Sequence, residues 1–149
     1  MSDISTRPLG EDDYEAWLPL WNGYCDFYST NLRDGVSRST FERMVDPDNQ
    51  SMFGFLGLDA NDTPVGMVTA VLHPSTFTLG PRCYLEDLFT HADARGKGVG
   101  RALIEAVADL AKDHGCDQLY WHTDETNYAG RMLYDKLATK SHLKYSRKL

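Results

Sequence analysis

The sequence predicts a single α/β domain, and three observations carry that prediction. Stretches with period-two alternation and stretches with helical spacing succeed one another along the whole chain. A glycine-rich turn, ARGKGVG at residues 94–100, lies between a strand-like run (YLEDLFT) and the clearest helical run. The 149 residues, 42% hydrophobic and 25% charged, suffice for one core without staples and show no linker to a second.

Residues 4–9 read as a short first strand. Pro8 has no N–H to donate, which puts that strand at a sheet edge. Over residues 11–28 the apolar positions Tyr14, Trp17, Leu18, Trp21, Tyr24, Cys25 and Tyr28 recur at helical spacing. Pro19 lies inside that run; it removes one hydrogen bond and crowds the carbonyl of Glu15, so a kink or break is expected. Asp34-Gly35 marks a loop, and Ser39-Thr40-Phe41-Glu42 fits a capping box opening a short helix towards Val45. Residues 52–58 and 65–72 read as antiparallel strands joined by the turn Asn61-Asp62-Thr63-Pro64. A fourth strand spans residues 83–89. The helix over 99–114 lines Val99, Leu103, Ile104, Val107, Leu110 and Ala111 on one face and stops at Gly115. Residues 117–122 read as a fifth strand. Residues 127–137 read as a helix with Gly130, Leu133, Tyr134 and Leu137 on one stripe, and residues 142–147 as a closing strand.

Composition narrows the function classes. A net charge of −7 argues against nucleic acid, whose phosphates need a basic face, and is weakly suited to a cationic substrate. No apolar run approaches the ~20 residues of a membrane span, and the polar, acidic start MSDISTRPLGEDD is unlike a secretory signal, so a soluble cytoplasmic protein is expected. Cys25, Cys83 and Cys116 stand far apart without a CxxC pair and read as buried, inert thiols. The five histidines show no HExxH spacing, and no metal is expected.

Three phosphate-binding patterns compete for the glycine loop. A P-loop needs GK followed by Ser or Thr, but Lys97 is followed by Gly98. The dinucleotide fingerprint needs a third glycine where this chain has Arg101. What remains is Arg-x-x-Gly-x-Gly at Arg95, Gly98 and Gly100, in which glycines let backbone N–H groups and a helix dipole approach a pyrophosphate. Arg95, Lys97 and Arg101 add positive charge. The plainer alternative is a tight strand-to-helix turn with solvated cations. Downstream, in NYAGRMLYDK, Asn127 and Tyr134 lie seven residues apart and share a helix face; Tyr134 alone would read as a core tyrosine bonded to a carbonyl.

Taken together over residues 84–136, the strand YLEDLFT, the loop, the helix, the strand QLYWHT and the NYAGRMLY helix resemble the GCN5-related N-acetyltransferase (GNAT) superfamily. The nearest resemblance in motif is to the diamine and polyamine enzymes. It implies a mixed, mostly antiparallel sheet flanked by helices, with a V-shaped splay between the fourth and fifth strands. It implies acetyl-CoA as cosubstrate. The backbone of Arg95, Gly96, Lys97, Gly98, Val99, Gly100 and Arg101 would hold the pyrophosphate. Leu88, Phe89 and Thr90 would pair with the pantetheine arm, with Asn127 and Gly130 at the cofactor and Tyr134 near the thioester sulfur. A homodimer is a further family-level expectation. This chain departs from the family where glycine and an aromatic often follow the tyrosine helix and it has Leu137-Ala138-Thr139.

Amine acetylation needs a proton acceptor, because an alkylamine near lysine's pKa of about 10.4 is mostly protonated at pH 7. Glu86 is the candidate base, with simple binding of an ammonium group as its alternative role. Strict period two would put Glu86 with Tyr84 and Leu88, and Asp87 on the other face with Leu85 and Phe89. Tyr134 is the candidate acid for the departing thiolate. Trp21, Tyr24, Phe27 and Tyr28, with Asp26 beside them, could wall a cationic amine or could simply pack a helix into the core. The function expected is transfer of an acetyl group to a primary amine, a polyamine or another small cation. A CoA-binding sensor without turnover and an enzyme acting on protein lysines are the alternatives.

Overall fold

In a computed structural model the described residues are 3–149. Five strands form one sheet in the order β1-β2-β3-β4-β5: β1 Ser5–Pro8, β2 Met52–Leu58, β3 Pro64–His73, β4 Arg82–Thr90 and β5 Leu119–Tyr120. The first four pair antiparallel; β4 and β5 run parallel. The α-helices are α1 Tyr14–Phe27, α2 Val36–Val45, α3 Val99–Asp113 and α4 Tyr128–Leu137. Pro8 closes a strand that pairs on one side only, as its missing N–H requires.

Two cores sandwich the sheet. On one face Val68, Ala70, Leu72, Cys83 and Leu85 pack against Val99, Leu103, Ile104, Val107 and Ala111 of α3. On the other, Leu56, Leu58 and Met67 meet Trp17, Leu20, Trp21 and Cys25 of α1 and Phe41 and Met44 of α2. The start of α3 lies very close to the sheet. A Cβ on Gly66 would collide with Val99 and with the carbonyl of Phe89, so glycine there lets the helix sit directly against the end of β4. Gly115, at φ +74°, ends α3, and Cys116 N–H donates back to the Ala111 carbonyl.

Several expectations are corrected. The helix of residues 11–28 does not break: α1 runs through Pro19 after a turn of 3-10 helix at Glu11–Asp13. Glu15 and Pro19 are both exposed, so the carbonyl that loses its donor faces water. The capping box at Ser39 is not used. Gly35, at φ +86°, opens α2 one turn earlier, and Ser39 donates its N–H to the Gly35 carbonyl inside the helix. The fifth strand shrinks to two residues. The closing strand over 142–147 is absent: residues 138–149 carry no regular structure and are exposed throughout. The alternation of Leu143 and Tyr145 with Lys144 and Ser146 is a strand signal, but a strand exists only when another pairs with it. Cys25 and Cys83 are buried and Cys116 half-buried, all as free thiols, and burial raises the pKa of each.

Candidate active site

The site is organised by β4. Its register with β3 runs from His73↔Arg82 to Ala70↔Leu85, then resumes at Thr69↔Asp87, leaving Glu86 as an extra residue. This β-bulge turns the rest of the strand over. Leu85 and Leu88 now share the α3 face, and Phe89 joins the α1 face. On its other side β4 pairs with β5 only through Cys83↔Leu119 and Tyr84↔Tyr120. From Leu85 onward that edge has no strand partner, which is the splay expected between the fourth and fifth strands. Leu88 and Phe89 therefore present a strand edge to the gap. At its end Arg95 Nε donates to the Thr90 carbonyl at 3.2 Å, and the guanidinium lies 5.9 Å from the centroids of both Phe27 and Phe89.

Immediately beyond β4, a 3-10 turn (Ala92–Ala94) leads into the glycine loop. Gly96 and Gly98 have φ of +78° and +89°, a region open to glycine and costly for residues with a side chain. The first helical bond of α3 is Ala102 N–H to the Gly98 carbonyl at 3.0 Å. The amides of Val99, Gly100 and Arg101 precede it and point out of the helix N-terminus. Arg95, Lys97 and Arg101 are exposed around them. Amides, dipole and cations together fit a pyrophosphate. Gly100 faces Leu133 of α4, which a Cβ at this position would touch.

Asn127 caps α4: its side chain accepts from Gly130 N–H at 3.3 Å and donates to Thr123 Oγ1 at 2.8 Å. Gly130 is glycine because a Cβ there would strike that carboxamide. Tyr134 sits half-buried on α4, edge-on to Trp121 at 5.6 Å between centroids. Burial, then the nearby Tyr28 hydroxyl, raise its pKa, so it stays a proton donor at neutral pH. Among the described residues its hydroxyl has no hydrogen-bond partner.

On the α1/α2 face, beside the bulge, a cavity of about 690 Å³ opens. Trp21 and Tyr24 of α1 and Tyr28 just past its end wall it; Thr40 and Arg43 come from α2, and Thr69, Glu86 and Asp87 from the sheet. Trp21 stacks between Trp17 and Tyr24, and its indole N–H donates to Ser37 Oγ at 3.0 Å. The Tyr24 hydroxyl donates to the Glu86 carbonyl at 3.4 Å. Asp87 is only 9% exposed. Burial pushes its pKa up to about 6 and the Glu86 charge adds to the rise, while the Tyr24 and Thr69 hydroxyls oppose it. Thr69 Oγ1 is buried beside this carboxyl without a hydrogen bond of good geometry.

Asp87 is the residue that period-two reasoning missed. The bulge brings both acids of the ED pair to one cavity, where strict alternation allowed one. Asp26, by contrast, lies outside: two residues past Tyr24 it is rotated about 200° around α1, exposed, and does not line the cavity. Of the aromatic set, Trp21, Tyr24 and Tyr28 line the cavity, with Trp21 also buried in the core, while Phe27 is exposed and does not line it. Among the described residues no cluster of three or more His, Cys, Asp or Glu is placed to hold a metal, and no helix is long and apolar enough to cross a membrane.

Known proteins bear on this arrangement. The D-amino-acid N-acetyltransferase HPA3 of Saccharomyces cerevisiae is 34% identical over 93% of this chain and 86% of its own length. A thialysine N-epsilon-acetyltransferase of Caenorhabditis elegans is 31% identical over 91% of this chain and 82% of its own. Among solved structures, the fold is shared with a ribosomal-protein-alanine N-acetyltransferase from Brucella melitensis biovar Abortus 2308 (TM-score 0.79, 20% identity, covering 98% of this chain and 99% of that one). It is shared too with AAC(6')-Iy in complex with a bisubstrate analogue (TM-score 0.83, 20% identity, 99% of both chains). The model of the Acetyltransferase (GNAT) family matches residues 16–138. With that match spanning most of the sequence, the chain belongs to the GNAT family of acetyltransferases.

Proposed function

We propose that this protein moves an acetyl group from acetyl-CoA to the primary amine of a small substrate of amino-acid type, by direct attack of the amine. The observation that carries the reading is the bulge at Glu86. It sets two carboxylates in one cavity directly beside the unpaired edge of β4, with the anion-binding loop at the end of that strand. The names of the two relatives favour an amino acid as acceptor over the polyamine that the motifs alone suggested.

Acetyl-CoA supplies an activated acetyl group on a thiol leaving group. The chain's own residues do the rest. The amides of Val99, Gly100 and Arg101, with Arg95, Lys97 and Arg101 around them, hold the pyrophosphate. The edge at Leu88 and Phe89 aligns the pantetheine arm in the gap. Glu86, exposed at the bulge, draws in the ammonium group. Transfer from a free ammonium of pKa about 10.4 to a carboxylate near 6 is uphill by roughly 6 kcal/mol, so the amine attacks in its neutral form, its first proton left to solvent. The nitrogen becomes positively charged and acidic once it has attacked, and Asp87, ionised above about pH 6, takes the second proton at that step. Tyr134 donates a hydrogen bond to the departing sulfur. A phenol of ordinary pKa near 10 facing a thiol near 8.5 makes full transfer uphill by about 2 kcal/mol, and burial adds to that. Its help is mainly hydrogen bonding.

The test pairs a melting curve with free-thiol release across amino acids, polyamines, aminoglycosides and basic peptides. At ~100-fold excess over Kd, acetyl-CoA should add about 2.7 kcal/mol of stability, NAD far less, and amino acids should release thiol fastest. Equal protection by NAD would overturn the reading. Protection by acetyl-CoA without thiol release from any amine would make the protein a CoA-binding module.

A further inference from the structure

The acceptor cavity has two electrical ends. Glu86 and Asp87 occupy the β4 side. Arg43 of α2 lines the opposite wall. Its Nε donates to the Ser39 carbonyl at 3.3 Å and its terminal nitrogen to Thr40 Oγ1 at 3.4 Å, both within its own helix. These bonds fold the side chain back along the wall that Thr40 also lines. They use neutral oxygens and leave three of the five guanidinium donors unspent. The ion pairs of the described residues are Arg7–Asp13, Arg82–Asp117 and His91–Asp93, so Arg43 has no carboxylate of its own. Arg43 is an exposed cation at the cavity wall, and its charge is free to meet an anion that enters there.

The spacing suits a small zwitterion. α2 packs over β2 through Met44, and Met52 of β2 lines the cavity beside Val71 of β3. Arg43, on the helix above β2, is thus two strand spacings from Asp87 along the sheet and one packing layer above it, on the order of 14 Å between backbones. An arginine and an aspartate side chain span much of that distance and leave room for a small molecule between them. A polyamine, positive along its whole length, would meet repulsion at the Arg43 end. A molecule with an amine at one end and a carboxylate at the other meets an opposite charge at both.

We infer that Arg43 is the carboxylate anchor of the acceptor site, so that the protein selects amines carrying their own carboxylate, while Glu86 and Asp87 hold the amino end. This rests on the acetyltransferase reading above and adds the residue that sets its substrate class. Arg43 touches no reacting atom; it fixes specificity through binding.

The experiment compares matched pairs that differ only in the carboxylate, lysine against cadaverine and D- or L-phenylalanine against phenethylamine, in the parent protein and in Arg43→Gln and Arg43→Lys. The parent should prefer the amino acid of each pair. Arg43→Gln should lower kcat/KM for amino acids by about 10- to 100-fold, through KM and not kcat, the range for losing a charged hydrogen-bonding partner. The matched amines should hardly respond, and Arg43→Lys should recover part of the preference. A parent that prefers the carboxylate-free amines, or a variant that loses both members of a pair alike, overturns the anchor. Calorimetric binding of the amino acids in the presence of CoA reads the same residue without turnover. Absence of thiol release from every amine counts against acetyl transfer itself. Even then, amino-acid binding lost in Arg43→Gln upholds the anchor, and binding unchanged in that variant overturns it.

Discussion

The two faces of the sheet are built from the same strands and have opposite characters. On the α3 face, β3 and β4 contribute Val68, Ala70, Leu72, Cys83 and Leu85, all apolar, and the helix covers them fully. On the α1/α2 face, the alternate residues of β3 begin with buried Met67 but continue with Thr69 and Val71, which line the cavity with Glu86 and Asp87. The difference comes from one inserted residue. Without the bulge at Glu86, period two would carry Asp87 onto the α3 face among aliphatic side chains, where a charge has no partner. With it, the apolar face stays apolar and both acids turn towards the cavity. One face holds the protein together; the other is left incompletely packed and opens the cavity that holds both acids.

Four substitutions can break or sharpen that contrast. The largest effect belongs to the closed face. Leu103→Ala in α3 removes a fully buried side chain and should cost about 2–5 kcal/mol, seen as a lowered denaturation midpoint. The fraction that folds should keep near-normal kcat. Loss of kcat without loss of stability would show that the faces are not separable.

Tyr134→Phe should behave in the opposite way. Among the described residues its hydroxyl has no partner, so its removal leaves none of them unsatisfied, and the ring against Trp121 remains. kcat and kcat/KM should fall together by about 100-fold, with KM for acetyl-CoA and the melting temperature little changed. A folded variant with parental kcat would remove Tyr134 from the chemistry.

Asp87 links stability to pH. Its folded pKa is near 6, raised from 3.8. The folded state therefore holds the proton more tightly than the unfolded state. Stability is fully present below about pH 4, is lost as pH rises through about 6, and at neutral pH the buried charge costs about 3 kcal/mol. Asp87→Asn should recover part of that at pH 7 and flatten the stability profile between pH 4 and 6. Activity should drop at the same time, and the acid limb of the parental kcat/KM profile, with its apparent pKa near 6, should disappear. Denaturant titrations across pH and rate profiles read both. A variant that is less stable at pH 7 and fully active would make Asp87 a structural residue. The smallest effect is expected at Asp26→Asn, on the exposed side of α1. Stability should stay within about 0.5 kcal/mol and KM for the amine unchanged; a raised KM would mean that the acceptor reaches further along α1 than the cavity does.

The parts of the site that were legible in the sequence are those whose chemistry is local. The glycine loop was readable because positive φ at Gly96 and Gly98 and a helix starting at Val99 follow from a few consecutive residues. The α4 stripe with Tyr134 was readable from its helical period. The parts that were misread depend on partners far away in sequence. The alternation over residues 142–147 could not reveal that no strand lies beside it. The Ser39 capping box could not reveal that Gly35 closes the turn first. Asp26 looked adjacent to the aromatic cluster in sequence but points away from it on the helix.

What the sequence by itself determined is the order of the elements as far as α4, the edge position of β1, the glycine turn that opens α3 and the family to which the chain belongs. What only the tertiary structure decided is which side chains share a cavity. Register between β3 and β4 is set by about 25 Å of paired strand and two opposing cores, not by any residue near Glu86, and a shift of one residue exchanges the faces of everything after it. Asp87 meets Glu86 and the side chains of α1 and α2 at one cavity through that register, because side chains on different elements meet only once the backbone hydrogen bonds have fixed where each strand begins.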